Sequence, residues 1–244
     1  MNVVDLTLEA LQRHGTEPLP GYERSLREAC EAEPPPFGQA WYGERYRDYA
    51  VDPSWLANWL VANAHGEGWG AGQLWKLSGR VADPEVAEQV RRHAIDESNH
   101  SRYYISMLRL AFPGTAEEPE ILDQLRALSP GYGVKDRPER SAPSNPRVLT
   151  DELIQMNLGE IRTRLHQLLL TPVIIEHTAP ENRERLKTVL DTLVGDETRH
   201  IEYTARLIDR AYRDDADYVV ATMKRRLADF NKLTIAEVGE PSLN

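Results

Sequence analysis

Asp196-Glu197-Thr198-Arg199-His200-Ile201-Glu202-Tyr203 repeats the pattern of Asp96-Glu97-Ser98-Asn99-His100-Ser101-Arg102-Tyr103, 100 positions earlier. Both octets read D-E-x-x-H-x-x-Y. Residues at i and i+3 share one face of an α-helix, so each octet, if helical, offers a carboxylate and an imidazole to the same metal ion. With 24 Glu and 7 His in 244 residues, chance alone supplies about 0.7 E-x-x-H matches. Two matches that also share the preceding Asp and the following Tyr stand above that background. The stronger discriminator is whether each octet has a partner acid on another helix.

Each does. A helix is expected over residues 54–78, and its one carboxylate, Glu67, lies among Trp55, Leu56, Trp59, Leu60, Val61, Leu74, Trp75 and Leu77. The next helix is expected to open at Asp83-Pro84, an N-cap followed by a proline where a proline is tolerated. Glu67 precedes the Ser78-Gly79-Arg80 turn by about as many residues as separate Pro84 from Glu97, so an antiparallel hairpin brings the two acids level. A second pair is expected over 150–178 and 181–212, broken at Ala179-Pro180. Its candidate acid is Glu160. Glu152 and Glu176 compete, but Glu152 sits beside Asp151 in a first turn, where acids suit the helix dipole, and Glu176 lies near the other end, beyond Pro172. The spacing from Glu160 to Glu197 is 37 residues against 30 from Glu67 to Glu97, which asks each helix of the second pair to run about one turn further.

One Glu from each of two helices, with E-x-x-H from each of two others, is the ligand set of the ferritin-like di-iron carboxylate proteins. The chain resembles that superfamily over four helices within residues 54–212. The resemblance implies an all-α, ferritin-like four-helix bundle with one long crossover at about 112–149 and extra N- and C-terminal helices. It also implies that Glu67, Glu97, His100, Glu160, Glu197 and His200 ligate two Fe ions, with Fe/Mn or Mn as the alternative metals and dioxygen as co-substrate. Four carboxylates balance two divalent cations, so such a site can be buried when reduced. Asp96 and Asp196 each precede a ligand Glu, and the resemblance implies that each accepts a hydrogen bond from the ligand His of the opposite helix.

The two copies differ around this shared set. At about 100° per residue, His93, His100 and Tyr104 all fall within roughly 60° of Glu97, whereas the matching positions in the second copy are Leu193 and Thr204. His93 and Tyr104 are therefore candidate catalytic residues, each weighed against an ordinary interior role. Some N-oxygenases resembling the superfamily carry an extra ligand in the same H-x-x-x-E-x-x-H spacing, although in the later helix. Gly66, Gly68, Gly70 and Gly72 surround Glu67, and each interior glycine costs about 1 kcal/mol relative to alanine. They make room for a substrate, with Gly66 and Gly70 lining its pocket, or permit a π-bulge, or allow close helix packing. Arg164, one turn after Glu160, either pairs with that acid or reaches a substrate carboxylate.

Length suits one domain spanning 1–244, with an N-terminal helical extension over 1–50. Helices are expected near 3–14, 22–33, 118–128 and 216–232, with the aromatic run 41–49 packing on the bundle and a loose tail at the end. The N-terminus lacks the basic region of a signal peptide and no apolar run reaches the roughly 20 residues of a membrane span, so a cytoplasmic location is expected. A lone cysteine, Cys30, excludes an internal disulfide and a cysteine-based zinc site. The net charge of −10 disfavours nucleic acid and anionic membranes as partners. The functional expectation is an oxygen-activating oxidoreductase acting on a small organic substrate by hydroxylation, N-oxygenation, desaturation or oxidative cleavage. An electron-donor protein or reductant would serve it, and a homodimer is a possible assembly. A ferroxidase, a peroxidase or a di-manganese catalase-like protein is the alternative.

Overall fold

The computed structural model describes residues 2–115 and 119–239. These are all-helical: α1 Val3–Arg13, α2 Pro20–Ala32, α3 Ala40–Ala50, α4 Pro53–Ser78, α5 Pro84–Ala111, α6 Pro119–Arg126, α7 Pro146–His177, α8 Arg183–Asp214 and α9 Ala216–Val238. Among the described residues there is no strand, and no helix is long and apolar enough to cross a membrane. The chain divides into two compact units. The first comprises Met1–Asp48, Pro146–Leu169 and Val194–Asn244; the second comprises Tyr49–Asn145 and Leu170–Leu193.

In the second unit, α4 and α5 form the hairpin that the sequence indicated. Asp52 and Asp83 cap them through Ser54 N and Glu85 N, both at 2.9 Å, and each is followed by a proline in the first turn. The buried stripe of α4 runs Leu56, Leu60, Ala64, Ala71, Leu74 and Leu77, and that of α5 runs Val86, Val90, Ala94, Tyr104, Met107 and Leu108. Both follow the i, i+3, i+4 spacing of a helix packed on one side.

The segment between α5 and α7 is fastened to this hairpin. Tyr132 stacks on Trp75 with ring centroids 4.1 Å apart. Ser98 Oγ accepts from Gly131 N and Tyr132 N, while Ser129 Oγ donates to the Ser98 carbonyl at 2.6 Å. Ser141 N and Ser144 N reach the carbonyls of Gly79 and Arg80. The buried Arg91 donates to the carbonyls of Val134 and Asp136. Pro and Gly content marks this crossover as irregular, and these hydrogen bonds tie individual groups of the largely exposed segment to the hairpin.

In the first unit, α2 packs on α1 and α9. No side chain of its own N-cap residue closes the N-terminus of α2. Instead Asp209, from α8, accepts from Gly21 N at 2.8 Å and Tyr22 N at 3.2 Å. Tyr22 is fully buried and donates to Asn157 Oδ1 on α7 at 2.9 Å, and Asn157 Nδ2 donates to Thr204 Oγ1 and the Ile201 carbonyl on α8. Gly21 allows the approach, since a Cβ there would fall 2.5 Å from the Tyr212 ring. A further buried cluster joins α3 to α7: Tyr42 Oη and His166 Nε2 share a hydrogen bond, and the imidazole stacks on the rings of both Tyr42 and Tyr46, which also stack on each other.

Three details depart from the sequence reading. The aromatic run at 41–49 is a helix, α3, because Tyr42 and Tyr46 are one turn apart and both buried. Helix α9 continues to Val238 instead of ending near 232, since its buried stripe runs on through Asn231, Thr234 and Val238, where polar residues interrupt the apolar pattern. Helix α7 begins at Pro146 and carries Pro172 in its interior. The start of the helix expected at 118 and the tail beyond 239 lie outside the described residues.

Replacing Asp209 by alanine leaves two buried amides without their acceptor, at a cost of about 2 kcal/mol. Thermal unfolding should then shift down by roughly 4–8 °C; an unchanged transition would show that the cap carries no weight. Acid sensitivity has its own source. Burial, with the nearby Arg162 charge, pushes His166 down to about 3, whereas an unfolded histidine titrates near about 6.5. The unfolded chain therefore binds the extra proton between these values, so stability is full above about pH 6.5 and falls as pH drops towards about 3, by about 1.4 kcal/mol per unit. Urea unfolding at pH 7 and pH 5 should show this loss in the wild type, and His166→Phe should flatten that part of the slope.

Candidate metal sites

Glu67 lies on the buried stripe of α4, in step with Leu60, Ala64, Ala71 and Leu74. Across the hairpin, the core stripe of α5 includes His93, Glu97, His100 and Tyr104, all buried. Glu67, Glu97 and His100 each offer one ligand atom, and these atoms lie within 4.8 Å of one another. Glu97 Oε1 is 3.3 Å from His100 Nδ1 and 3.2 Å from His93 Nε2. Burial raises the pKa of Glu97, but the hydrogen bond with Glu67 and the two imidazoles outweigh it and hold the carboxyl well below its usual range.

The first unit contains the matching set. His200 Nδ1 is 3.8 Å from both Glu160 Oε2 and Glu197 Oε2. Glu197 is fully buried and accepts from Gln167 Nε2 at 2.9 Å. The next residue, Thr198, accepts from Arg164 Nε at 3.0 Å. Arg164 is half-buried, and burial followed by the Arg13 charge lowers its pKa while Glu197 opposes that shift. Among the described residues no carboxylate lies within ion-pair distance of Arg164, so the pairing with Glu160 considered above is replaced by the Thr198 contact. Thr204 donates to the His200 carbonyl at 2.6 Å. Sequence reasoning overlooked Gln167 altogether. A buried amide one residue from His166 leaves no motif; its signal is the helical spacing of seven residues from Glu160, two turns along one face.

The remaining candidates have definite places. Tyr104 is completely buried and meets Trp59 edge-on, with centroids 5.8 Å apart. Asp196 pairs with Arg199 one turn on, and Asp96 is half-buried. Helix α4 is regular α-helix through its glycines, which removes the π-bulge reading. The glycines divide instead by environment. A Cβ at Gly68 would lie 1.8 Å from the Leu128 carbonyl oxygen, so this glycine admits the crossover backbone. At Gly66, Gly70 and Gly72 a Cβ would meet nothing within 4 Å. Gly66 is exposed, and Gly70 is partly so, beside the exposed Trp69.

No protein-family model, curated protein or solved structure matches the chain. The chemistry of the side chains therefore carries the functional reading. Each set combines two carboxylates with one imidazole, a donor mixture suited to iron or manganese and unlike the thiolate-rich sites of structural zinc. Buried anions of this kind need a cation or a shared proton to offset desolvation.

Two substitutions separate the glycine roles. Gly66→Ala should stabilise the protein by up to about 1 kcal/mol through helix propensity, whereas Gly68→Ala should destabilise it by about 1–3 kcal/mol because backbone must move. Denaturant melts of both variants check this, and equal effects would contradict the division.

Proposed function

We propose that the chain is a ferritin-like, non-haem di-iron oxygenase or oxidase. In this reading Glu67, Glu97 and His100 hold one Fe ion, Glu160, Glu197 and His200 hold the other, and dioxygen is activated to oxidise a small organic substrate. The observation that supports it most is that each compact unit gathers two carboxylates and an imidazole, with Glu97, His100, Glu197 and His200 buried and Glu67 and Glu160 partly so. Iron bound there would supply electrons to dioxygen at open coordination positions.

The protein's own residues then have distinct tasks. Glu97 is held as an anion and is ready to ligate without first losing a proton. Gln167 fixes the carboxylate of Glu197, which sets the direction of its lone pairs. His93 Nε2, beside Glu97 Oε1, is placed to exchange a proton with that carboxylate. Arg164, anchored on Thr198, is a half-buried guanidinium available to orient an anionic group of the substrate. The crossover, tied to Ser98 next to Glu97, keeps water from that side of the hairpin.

Anaerobic titration with Fe(II), followed by metal analysis after desalting, should give two equivalents per chain, and Glu97→Ala and His200→Ala should each lose binding. Gln167→Ala should retain the stoichiometry with affinity weakened roughly 10–100-fold. Admission of oxygen to the loaded protein should change its visible absorption. Absence of stoichiometric metal would overturn the reading, and peroxide consumption without oxidation of any organic substrate would transfer it to the catalase-like or ferroxidase class.

A further inference from the structure

The metal chemistry leaves one buried, proton-bearing cluster unused. Tyr42, on α3, is 1% exposed, and its phenol oxygen shares a hydrogen bond with Nε2 of His166 on α7. The imidazole stacks on Tyr46 with centroids 4.7 Å apart and on Tyr42 at 5.6 Å, and the two tyrosine rings stack on each other at 5.0 Å. Trp41, half-buried, meets Tyr42 edge-on at 5.9 Å, and Arg45 lies over its indole. Arg162 and Glu237, themselves paired at 3.0 Å, are the other charged groups acting on the cluster.

We propose that Tyr42 is a redox-active tyrosine whose phenol proton passes to His166 when an electron is withdrawn, with Tyr46 and Trp41 extending the path for the oxidising equivalent. The chemistry follows from the contacts. Removing an electron from a phenol makes it strongly acidic, so oxidation in a dry interior requires a base already hydrogen-bonded to the oxygen. A neutral imidazole carrying its hydrogen on Nδ1 presents the Nε2 lone pair to the phenol and is that base. Burial keeps His166 unprotonated at neutral pH and makes a free phenolate costly, which favours coupled loss of proton and electron over either alone. In the step, the Tyr42 O–H bond breaks, the electron goes to the oxidant, and an N–H bond forms at His166 Nε2 to give an imidazolium beside a neutral phenoxyl radical. An external one-electron donor such as ascorbate or a thiol reverses it, with the proton returning to the oxygen.

Position gives the pair a use. His166 is six residues beyond Glu160 on α7, about 9 Å along the helix axis, and its neighbour Gln167 holds Glu197. Iron held by Glu160, Glu197 and His200 would, once oxidised, lie a short distance along α7 from the aromatic stack, which leads on to Trp41. That source rests on the proposed function; the reactivity of Tyr42 with His166 does not.

The test uses the full chain without added metal, oxidised by flash-generated ruthenium(III) tris-bipyridine with persulfate as terminal acceptor. Freeze-quenched samples should show a tyrosyl radical by electron paramagnetic resonance, formed more slowly in D2O. Tyr42→Phe should remove most of that signal. His166→Phe should slow its formation several-fold and shorten its lifetime, and imidazole added to His166→Ala should restore part of the rate. Placing 3-fluorotyrosine at position 42 keeps the ring shape and should add fluorine splitting to the spectrum. A radical lacking that splitting, or one equally strong in a folded Tyr42→Phe protein, overturns the proposal. Iron loading is measured separately, so a protein that binds no iron but forms the Tyr42 radical would retain this inference and lose the di-iron reading.

Discussion

Carboxylates on the buried stripes of packed helices are the constraint around which the molecule is built. Glu67 occupies a step of the Leu60, Ala64, Ala71, Leu74 ladder, and Glu97 and Glu197 occupy steps where a leucine would serve folding better. Isolated buried anions cost far more than the 5–15 kcal/mol by which a typical domain is stable. The groups around them are therefore arranged as compensation: His93 and His100 beside Glu97, His200 and Gln167 beside Glu197. Helices that must keep such groups inside cannot rotate or slide freely, because a turn of about 100° would exchange the acid for a neighbour and strand it. The acids thus fix helix register as well as offering donors.

The two sets are alike in donors and unlike in surroundings. Around Glu97 the neighbours are a second imidazole and a crossover tied to Ser98, with a buried phenol, Tyr104, two turns along the same helix. Around Glu197 they are an amide, a hydroxyl at Thr204 and a half-buried guanidinium. Distinct neighbours change the basicity of the ligands and the polarity of the adjoining space, which are the means by which equal ligand sets are given unequal reactivity.

Much of this was legible in the chain because helical periodicity and capping are local. Asp52-Pro53 and Asp83-Pro84 announce two helix starts, and the spacing of Glu67, Glu97 and His100 around the Gly79 turn is enough to place them level. The contributions that escaped notice are those made across long separations by residues without a motif. Ser98 gains its role from Ser129, Gly131 and Tyr132, and Asp209 gains its role from amides nearly 190 residues away. The glycines around Glu67 were ambiguous for the same reason: whether a missing side chain admits backbone, as at Gly68, or faces open space, as at Gly66, depends on a partner that periodicity does not name. The aromatic run 41–49 announces packing but no secondary structure, since Gly43 and its aromatic neighbours are weak helix formers, and tertiary packing makes it helix α3.

His166 shows how one physical condition can serve stability and chemistry in opposite senses. Its burial against Tyr42 and Tyr46, with the nearby Arg162 charge, lowers its proton affinity, which makes the fold sensitive to acid. The same enclosure keeps its lone pair available to the Tyr42 phenol across the neutral range. A phenylalanine there would fill the space with less dependence on pH but would remove the His166 partner of the Tyr42 hydroxyl, leaving its hydrogen bond with Tyr46. A phenylalanine at position 42 would in turn remove the need for the imidazole. Packing alone does not require both groups inside the core, because an apolar pair of similar volume would fill the space, and the hydrogen bond between Tyr42 and His166 is what distinguishes the arrangement.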